Sequence, residues 1–555
     1  MPSTLRVPRS DYNSEMPVEK TPNSYINLAF IGISRRAESV DRATLVQTFV
    51  DVGPLFAVLS TNDHQIVFGR RGTGKTHALL YVAEQGKKSG NVAVYVDLRF
   101  IGSSGGIYGD PNLPLAQRAT RLLLDVLTTI HENLITAAVE GNLDLSRVGP
   151  ALDRLASAST ELQVVGETTR ETTDSSQTEL NSTSSANLLV SGAPNLGFSS
   201  SDTSKTQTGR ATHRIERGVA QYRVHFGSVS SALRDLVSAI APSRMLIVLD
   251  EWSAVPLDLQ PYLADLVRRA VFPVPGITVK IAAIEQRSSF RIGEGSEYTG
   301  IEVGADASAD VDLDDYMVFD NNSERAVEFF QELLYSHYQS EAIQGKPQFQ
   351  SSARLIQAAF TQSNAFEDFV VAAEGVPRDA FNVLSLAAQR GMNDKISIPT
   401  VRVAARTWYQ RDKESALRAN TEGQELLYWI IDEVIAHRKA RAFLLLANTR
   451  HPVVDTLFDA RLLHVIKRGL SGQEEAGVRY DAYKLDYGCY VDLLATKSAP
   501  QTDFGVEQDN QLSASIVVPT DDYRAIRRAI LNLDDFENRS KFAIPANAES
   551  ELSLE

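Results

Sequence analysis

Eight consecutive residues, Gly69-Arg70-Arg71-Gly72-Thr73-Gly74-Lys75-Thr76, set three glycines, a lysine and a threonine in the spacing G-x-x-x-x-G-K-[ST]. The glycines let a backbone wrap so that successive N–H groups point at phosphate oxygens. A helix that follows adds its positive N-terminal end. At this spacing Lys75 reaches the β- and γ-phosphates of a nucleotide and Thr76 ligates Mg²⁺. The flanking segments have the order this chemistry needs. Gln65–Phe68 reads as a short apolar strand, and His77–Glu84 continues as a helix. Gly69 to Thr76, with His77 behind them, are the expected cofactor-binding residues, and the cofactors are ATP and Mg²⁺.

A second pattern is Met245–Glu251, MLIVLDE. An apolar strand ending in two acids places both carboxylates at the carboxyl edge of a parallel sheet, where ligands bind in such sheets. Asp250 is placed to hold the magnesium shell, and Glu251 to orient or deprotonate an attacking water. Two acids after a strand are also an ordinary solvated strand end. Joined to the phosphate loop, they read as the hydrolytic pair of an ATPase.

Alternating elements must position these groups. Arg42–Leu59 has helical spacing, Val92–Phe100 reads as a strand, Leu115–Glu140 as a long helix, and Ser230–Ile240 as another. Leu259–Phe272 reads as a helix, Ile277–Ile284 as a buried strand and Asp310–Phe319 as one more. Strands alternating with helices predict an α/β fold with a parallel sheet. Nearly everything from Ser323 to the Arg411 region has helical spacing. Gln424–Leu446 and Val453–Leu470 read as two further helices, and Val478–Tyr483 with Gly488–Leu494 as a hairpin. The expected organisation is a flexible arm over 1–24, a nucleotide-binding domain over 25–320, a helical lid over 321–418, a winged-helix domain over 419–498 and an acidic tail over 499–555. A segment dense in Ser, Thr, Asn and Gly, 157–212, interrupts the nucleotide-binding domain. Its composition fits both a disordered linker and a polar β-arm, Glu161–Glu171 alternating as exposed strands do.

With a third motif the chain resembles the AAA+ superfamily. Glu374-Gly375-Val376-Pro377-Arg378-Asp379-Ala380 looks like the sensor-2 segment of the AAA+ lid. The resemblance implies that Arg378 reaches the γ-phosphate and acts in catalysis beside Lys75 and Glu251; a planar, always charged guanidinium suits that task. Within AAA+ the chain is most similar to the origin-recognition initiators and the related STAND-type switches. Thr421–Leu494 resembles their winged helix, with Gly477–Leu494 as the wing. The resemblance covers roughly 25–150 and 220–495. The chain departs from the pattern at the sensor-1 slot, where Glu285 or Gln286 stands instead of a short polar residue. No obvious arginine finger precedes Asp310; Arg268, Arg269, Arg287 and Arg291 are the substitutes.

The 555 residues carry a formal net charge of -15, which argues against a surface that coats nucleic acid throughout and leaves room for one basic face. Candidate DNA-phosphate contacts are His437, Arg438, Lys439, Arg441, Lys467, Arg468, Arg479 and Lys484. The single cysteine, Cys489, excludes an internal disulfide and a cysteine-rich zinc site, which fits a cytoplasmic protein. Apolar runs such as Met245–Leu249 are too short to span a bilayer, so no membrane is expected. The leading reading is an ATP-dependent switch or motor. It controls assembly with a second copy of the chain or with a separate effector or partner protein, and bacterial antiphage defence is one setting for such a design. The alternative is an ATP-gated initiator or loader that binds DNA through the winged helix. A scaffold with slow turnover is the third.

Overall fold

The computed structural model describes residues 21–51, 53–101, 107–110, 112–141, 143–159, 162–165, 168–172, 212–216, 219–222, 224–295, 297–314, 323–438, 440–447, 451–471, 477–494 and 529–542. Residues 1–20 of the expected arm, the middle of the polar insertion and most of the acidic tail lie outside these residues; the last residues assigned to the arm instead open the helix Pro22–Gly32, capped by Thr21. The chain forms two compact units: 1–89, 280–288 and 303–555 in the first, 90–279 and 289–302 in the second.

In the first unit the strand Gln65–Phe68 pairs in parallel with Ser308–Asp312 on one side and with residues 280–282 on the other. Gln65 stands opposite Ser308 and Lys280, and Val67 opposite Ala282. Its residues Gln65 to Val67 are buried, as a parallel strand covered on both faces requires. The helix Lys75–Lys88 follows the loop and buries Ala78, Leu79, Leu80, Val82 and Ala83 along one side. The helix expected over Arg42–Leu59 breaks into Arg42–Thr48 and Leu55–Leu59, with Gly53 at positive φ and Pro54 next to it separating the two. Helices Ser323–Ser340, Ser352–Ala359, Ser363–Ala373, Pro377–Arg390 and Ile398–Trp408 follow, as the helical spacing predicts.

The C-terminal module of this unit differs from the expectation. Thr421–Ile431 is a helix whose wider final turns run to His437, and Ala442–Leu446 is then a strand. Helix Pro452–Asp459 ends early, and Leu463–Ser471 is a strand rather than its continuation. Arg461 takes φ 58 just after the helix, and the Leu462 amide bonds back to the Leu457 carbonyl at 2.9 Å. That left-handed turn stops the helix. The strand Arg479–Leu485 pairs antiparallel with both Ala442–Leu446 and Leu463–Ser471, whereas Gly488–Leu494, expected as half of the hairpin, lies in short 3₁₀ turns. Short apolar runs such as Ala442–Leu446 carry no period that separates a strand from a buried helix. The end of the chain also returns here: the Leu444 amide donates to Ala529 O at 2.9 Å, and Leu531 N donates to Leu444 O at 3.0 Å. Leu533–Phe542 forms a further helix.

In the second unit Val92–Asp97 and Met245–Asp250 pair in parallel, from Val92 opposite Met245 to Asp97 opposite Asp250. The helix Leu115–Glu140 has the expected bounds. By length and composition it is able to cross a membrane, but Leu122, Val126, Leu127, Ile130 and Leu134 are buried in this unit, which is the pattern of a core helix. Arg291–Glu294 and Glu297–Gly300 form a tight hairpin that the sequence reading missed. The ends of the polar insertion form an antiparallel ribbon, Leu162–Val165 against Val219–Tyr222 and Thr168–Thr172 against Thr212–Glu216. Parallel strands with covering helices in both units make this an α/β protein.

Candidate nucleotide site

The loop after Gln65–Phe68 has the backbone that phosphate binding requires. Gly72 takes φ 93 and Gly74 takes φ 96, a region that side-chain-bearing residues avoid. A Cβ on Gly72 would lie 2.9 Å from the Arg378 Cβ and 3.1 Å from a Val376 methyl. Gly74 stands at the N-cap of the helix Lys75–Lys88 and has no side chain to close its first turn. The Lys75 ammonium donates to Gly69 O at 2.7 Å and Arg70 O at 2.9 Å, so it stands within the loop. Thr73 Oγ1 closes the same turn on Arg70 O at 2.9 Å.

The predicted residues of the loop divide by what their side chains do. Arg70 turns away from the loop interior and is buried. Its Nε donates to Asp314 at 2.8 Å, its Nη2 to the Glu374 carbonyl at 2.9 Å, and its Nη1 to His464 Nδ1. Its amide is also taken, by Asp314 at 2.9 Å. Arg71 is exposed. His77 bonds Leu45 O through Nε2 at 2.8 Å, and burial lowers its pKa. Its ring is thus neutral and fixed, and only its backbone is left for a phosphate.

Arg378 stands against the glycine loop. It follows Pro377 at the start of the helix Pro377–Arg390, and its amide donates to Gly72 O at 3.3 Å. Its Nε is buried without a hydrogen-bond partner among the described residues. Burial first, then the like charges of Arg461 and Arg71, lower its pKa, with Glu38 opposing. A half-buried cation among cations is a site prepared for an anion.

The acid pair belongs to the second unit. Asp250 is buried; its carboxylate accepts the Tyr95 hydroxyl at 2.7 Å and the Glu251 amide at 2.8 Å. Glu251 takes φ 56, a conformation that costs a non-glycine residue roughly 1–2 kcal/mol. The turn is anchored by Trp252, wholly buried and stacked on Phe290 at 5.0 Å. Glu251 stays partly exposed, and Arg99 Nη1 lies 3.7 Å from its carboxylate. Arg99 is itself held by Asp97 at 2.6 Å. Tyr95, within the strand Val92–Asp97, and Arg99, in the turn just after it, belong to no sequence motif and come to the acid pair only through the pairing of that strand with Met245–Asp250.

The remaining candidates are engaged elsewhere. Glu285 of the sensor-1 slot pairs with Arg468 at 2.5 Å, and Arg287 pairs with Asp459. Arg268 bonds Asp265 at 3.1 Å and the Tyr298 hydroxyl at 2.9 Å. Arg291 lies over the Tyr298 ring, and Arg269 over Phe226. Among the proposed DNA contacts, Lys484 is buried on Glu374 at 2.7 Å and Arg441 is also buried. Arg479 donates to Gly469 O at 2.9 Å. Lys439 lies outside the described residues.

The residues present fit a nucleoside triphosphate. They offer a glycine loop at positive φ, a glycine N-cap on the helix that follows, an ammonium inside the loop and a half-buried arginine whose Nε is buried without a partner among the described residues. Thr76 and Asp250 are of the donor type that Mg²⁺ takes.

No curated protein matches the chain. Among solved structures it is similar to a Drosophila ORC bound to DNA, at 9% identity and a TM-score of 0.32, over 88% of this chain and 95% of that one. It is also similar to the Aeropyrum pernix ORC1 protein in complex with DNA, at 11% identity and a TM-score of 0.31, over 83% and 93%. Residues 34–102 match the family model ORC-CDC6-like. Over the stretch that contains the phosphate loop, this chain therefore resembles the ORC-CDC6-like family.

Proposed function

We propose that the chain binds and hydrolyses Mg-ATP and that the nucleotide gates its engagement of DNA, in the manner of an origin-recognition initiator. The observation that carries the ATPase reading is the adjacency of Arg378 and Gly72, which puts an arginine with an unpartnered, buried Nε against the glycine loop. The match of residues 34–102 to the ORC-CDC6-like model supports the initiator class. Bound Mg-ATP supplies the phosphoric anhydride and a divalent charge on its phosphates. The loop amides and Lys75 hold the β- and γ-phosphates, and Thr76 and Asp250 are the metal-shell residues. Glu251 orients and deprotonates water, and Arg378 stabilises charge on the γ-phosphate.

A second reading, an ATP-driven switch that controls assembly with itself or a partner, has its own support. Two of the cations that would meet DNA phosphates are paired within the chain, Lys484 buried on Glu374 and Arg468 with Glu285 at the surface. The experiment that separates the two is duplex-DNA binding in ATP and in ADP across a salt series, beside sizing under the same conditions. ATP-dependent binding with a steep salt slope supports the initiator. Absence of DNA binding, with an ATP-dependent change of assembly, supports the switch.

A further inference from the structure

The phosphate loop is held from behind by a chain of buried charges that ends in the C-terminal module. Arg70 is 2% exposed, and one of its amino groups donates to His464 Nδ1. A guanidinium only donates, so Nδ1 is the acceptor and the proton of the neutral ring sits on Nε2. That nitrogen faces Asp486 at 3.1 Å. Asp486 also takes the ammonium of Lys413, and Lys413 lies 3.0 Å from Asp379. Asp379 is the neighbour of Arg378, whose amide returns to Gly72 of the loop at 3.3 Å. Arg70, His464, Asp486, Lys413, Asp379 and Arg378 thus close a circuit through the loop, the lid and the C-terminal module, all within the first unit. The four buried links other than Arg70 and Arg378 have exposures from 0% to 2%.

Buried ionic circuits are poor stabilisers compared with apolar packing of the same volume, and their attested use is to fix one arrangement over others. This one has an input. Lys75 donates to the carbonyl of Arg70. A lysine that turns to phosphate oxygens exchanges that carbonyl for them, so nucleotide binding acts on the backbone of the residue that grips His464. We propose that His464 and Asp486 are positioning residues for the phosphate loop. Through Arg70 they make nucleotide binding and the seating of the C-terminal module a single coupled equilibrium. The proposal rests on the reading that the loop binds ATP.

The test is equilibrium binding of a fluorescent ATP analogue to the full-length protein and to His464→Ala and His464→Gln. Hydrogen exchange over Leu463–Leu485 is followed with and without ATP. Coupled sites commonly differ by factors of about 5–150. His464→Ala is expected to weaken ATP binding about tenfold. His464→Gln keeps one acceptor for Arg70 and one donor for Asp486, so it restores most of the affinity. In the unaltered protein ATP changes exchange in Leu463–Leu485. Wild-type affinity in folded His464→Ala, or unchanged exchange in that segment on saturation with ATP, overturns the proposal. If the variants do not fold, the exchange measurement decides alone. A Lys75→Ala control that binds ATP like the unaltered protein marks failure of the nucleotide reading itself, which these arms keep distinct.

Discussion

Replacing Arg378 by alanine separates a phosphate-facing arginine from a structural one. Its Nε is buried without a partner among the described residues, and Arg461 and Arg71 near it share its sign. Truncation therefore gives up no ion pair at Nε and relieves like-charge repulsion, against the loss of some stem packing beside Gly72. The net change in stability should stay under about 1 kcal/mol, which moves the Tm of a large domain by no more than roughly 2–4 °C. A hydrogen bond to a charged group contributes about 1.5–3 kcal/mol. At 1.36 kcal/mol per decade that is a rate loss of about 10- to 150-fold. The assay is phosphate release at saturating ATP, with ATP affinity and melting measured on the same preparation. Turnover should fall by that factor, and affinity by a smaller one. Turnover equal to wild type refutes the role of Arg378, and so does a loss accounted for by unfolding.

Glu251→Gln should retain ATP affinity while phosphate release slows, because glutamine keeps the shape and cannot accept the proton of water; normal turnover in this variant removes Glu251 from catalysis. Replacing residues 173–211 by Asn-Gly should close the ribbon as a two-residue hairpin, since Thr172 already faces Thr212. ATP binding and Tm should be unchanged, and loss of binding would place the excised segment in the site. His337 is pushed down to about 3 by burial and then by His77. The unfolded chain protonates this residue below about 6.5, so the folded state binds fewer protons and stability falls as pH drops from about 6.5 towards 3. The slope approaches 1.4 kcal/mol per pH unit for this one group. Urea titrations at pH 7 and pH 5 on wild type and His337→Leu should show a smaller acid loss in the variant; equal losses contradict the assignment.

What was legible in the sequence follows from how local each signal is. Gly69–Thr76 and Met245–Glu251 are contiguous, and their chemistry is fixed by neighbours a few residues away. The long amphipathic helix Leu115–Glu140 declares itself by period, and its bounds were right. Ala442–Leu446 and Leu463–Ser471 were read as helix, because short apolar runs fit either state and the left-handed turn at Arg461 bears no glycine to announce it. That turn is held by charge, Arg461 pairing with Asp379 and Asp412. The partners of Arg70 lie 244, 304 and 394 residues away, so no local pattern points to them. Sequence spacing set Arg70 in the loop, yet it gave no sign that the side chain is spent on Asp314, Glu374 and His464.

The central claim is that Gly69–Thr76 binds ATP, and equilibrium binding of a fluorescent ATP analogue to wild type and to Lys75→Ala, each shown to be folded, tests it most directly. Lys75 stands inside the loop, 2.7 Å from Gly69 O, and in the proposed function it is the fixed cation for the β- and γ-phosphates. At about 1.5–3 kcal/mol for a hydrogen bond to a charged group, its loss should weaken binding by about 10- to 150-fold. The account predicts saturable, Mg²⁺-dependent binding by wild type that Lys75→Ala loses by that factor. Equal affinity in the two proteins, or no binding by wild type, contradicts it.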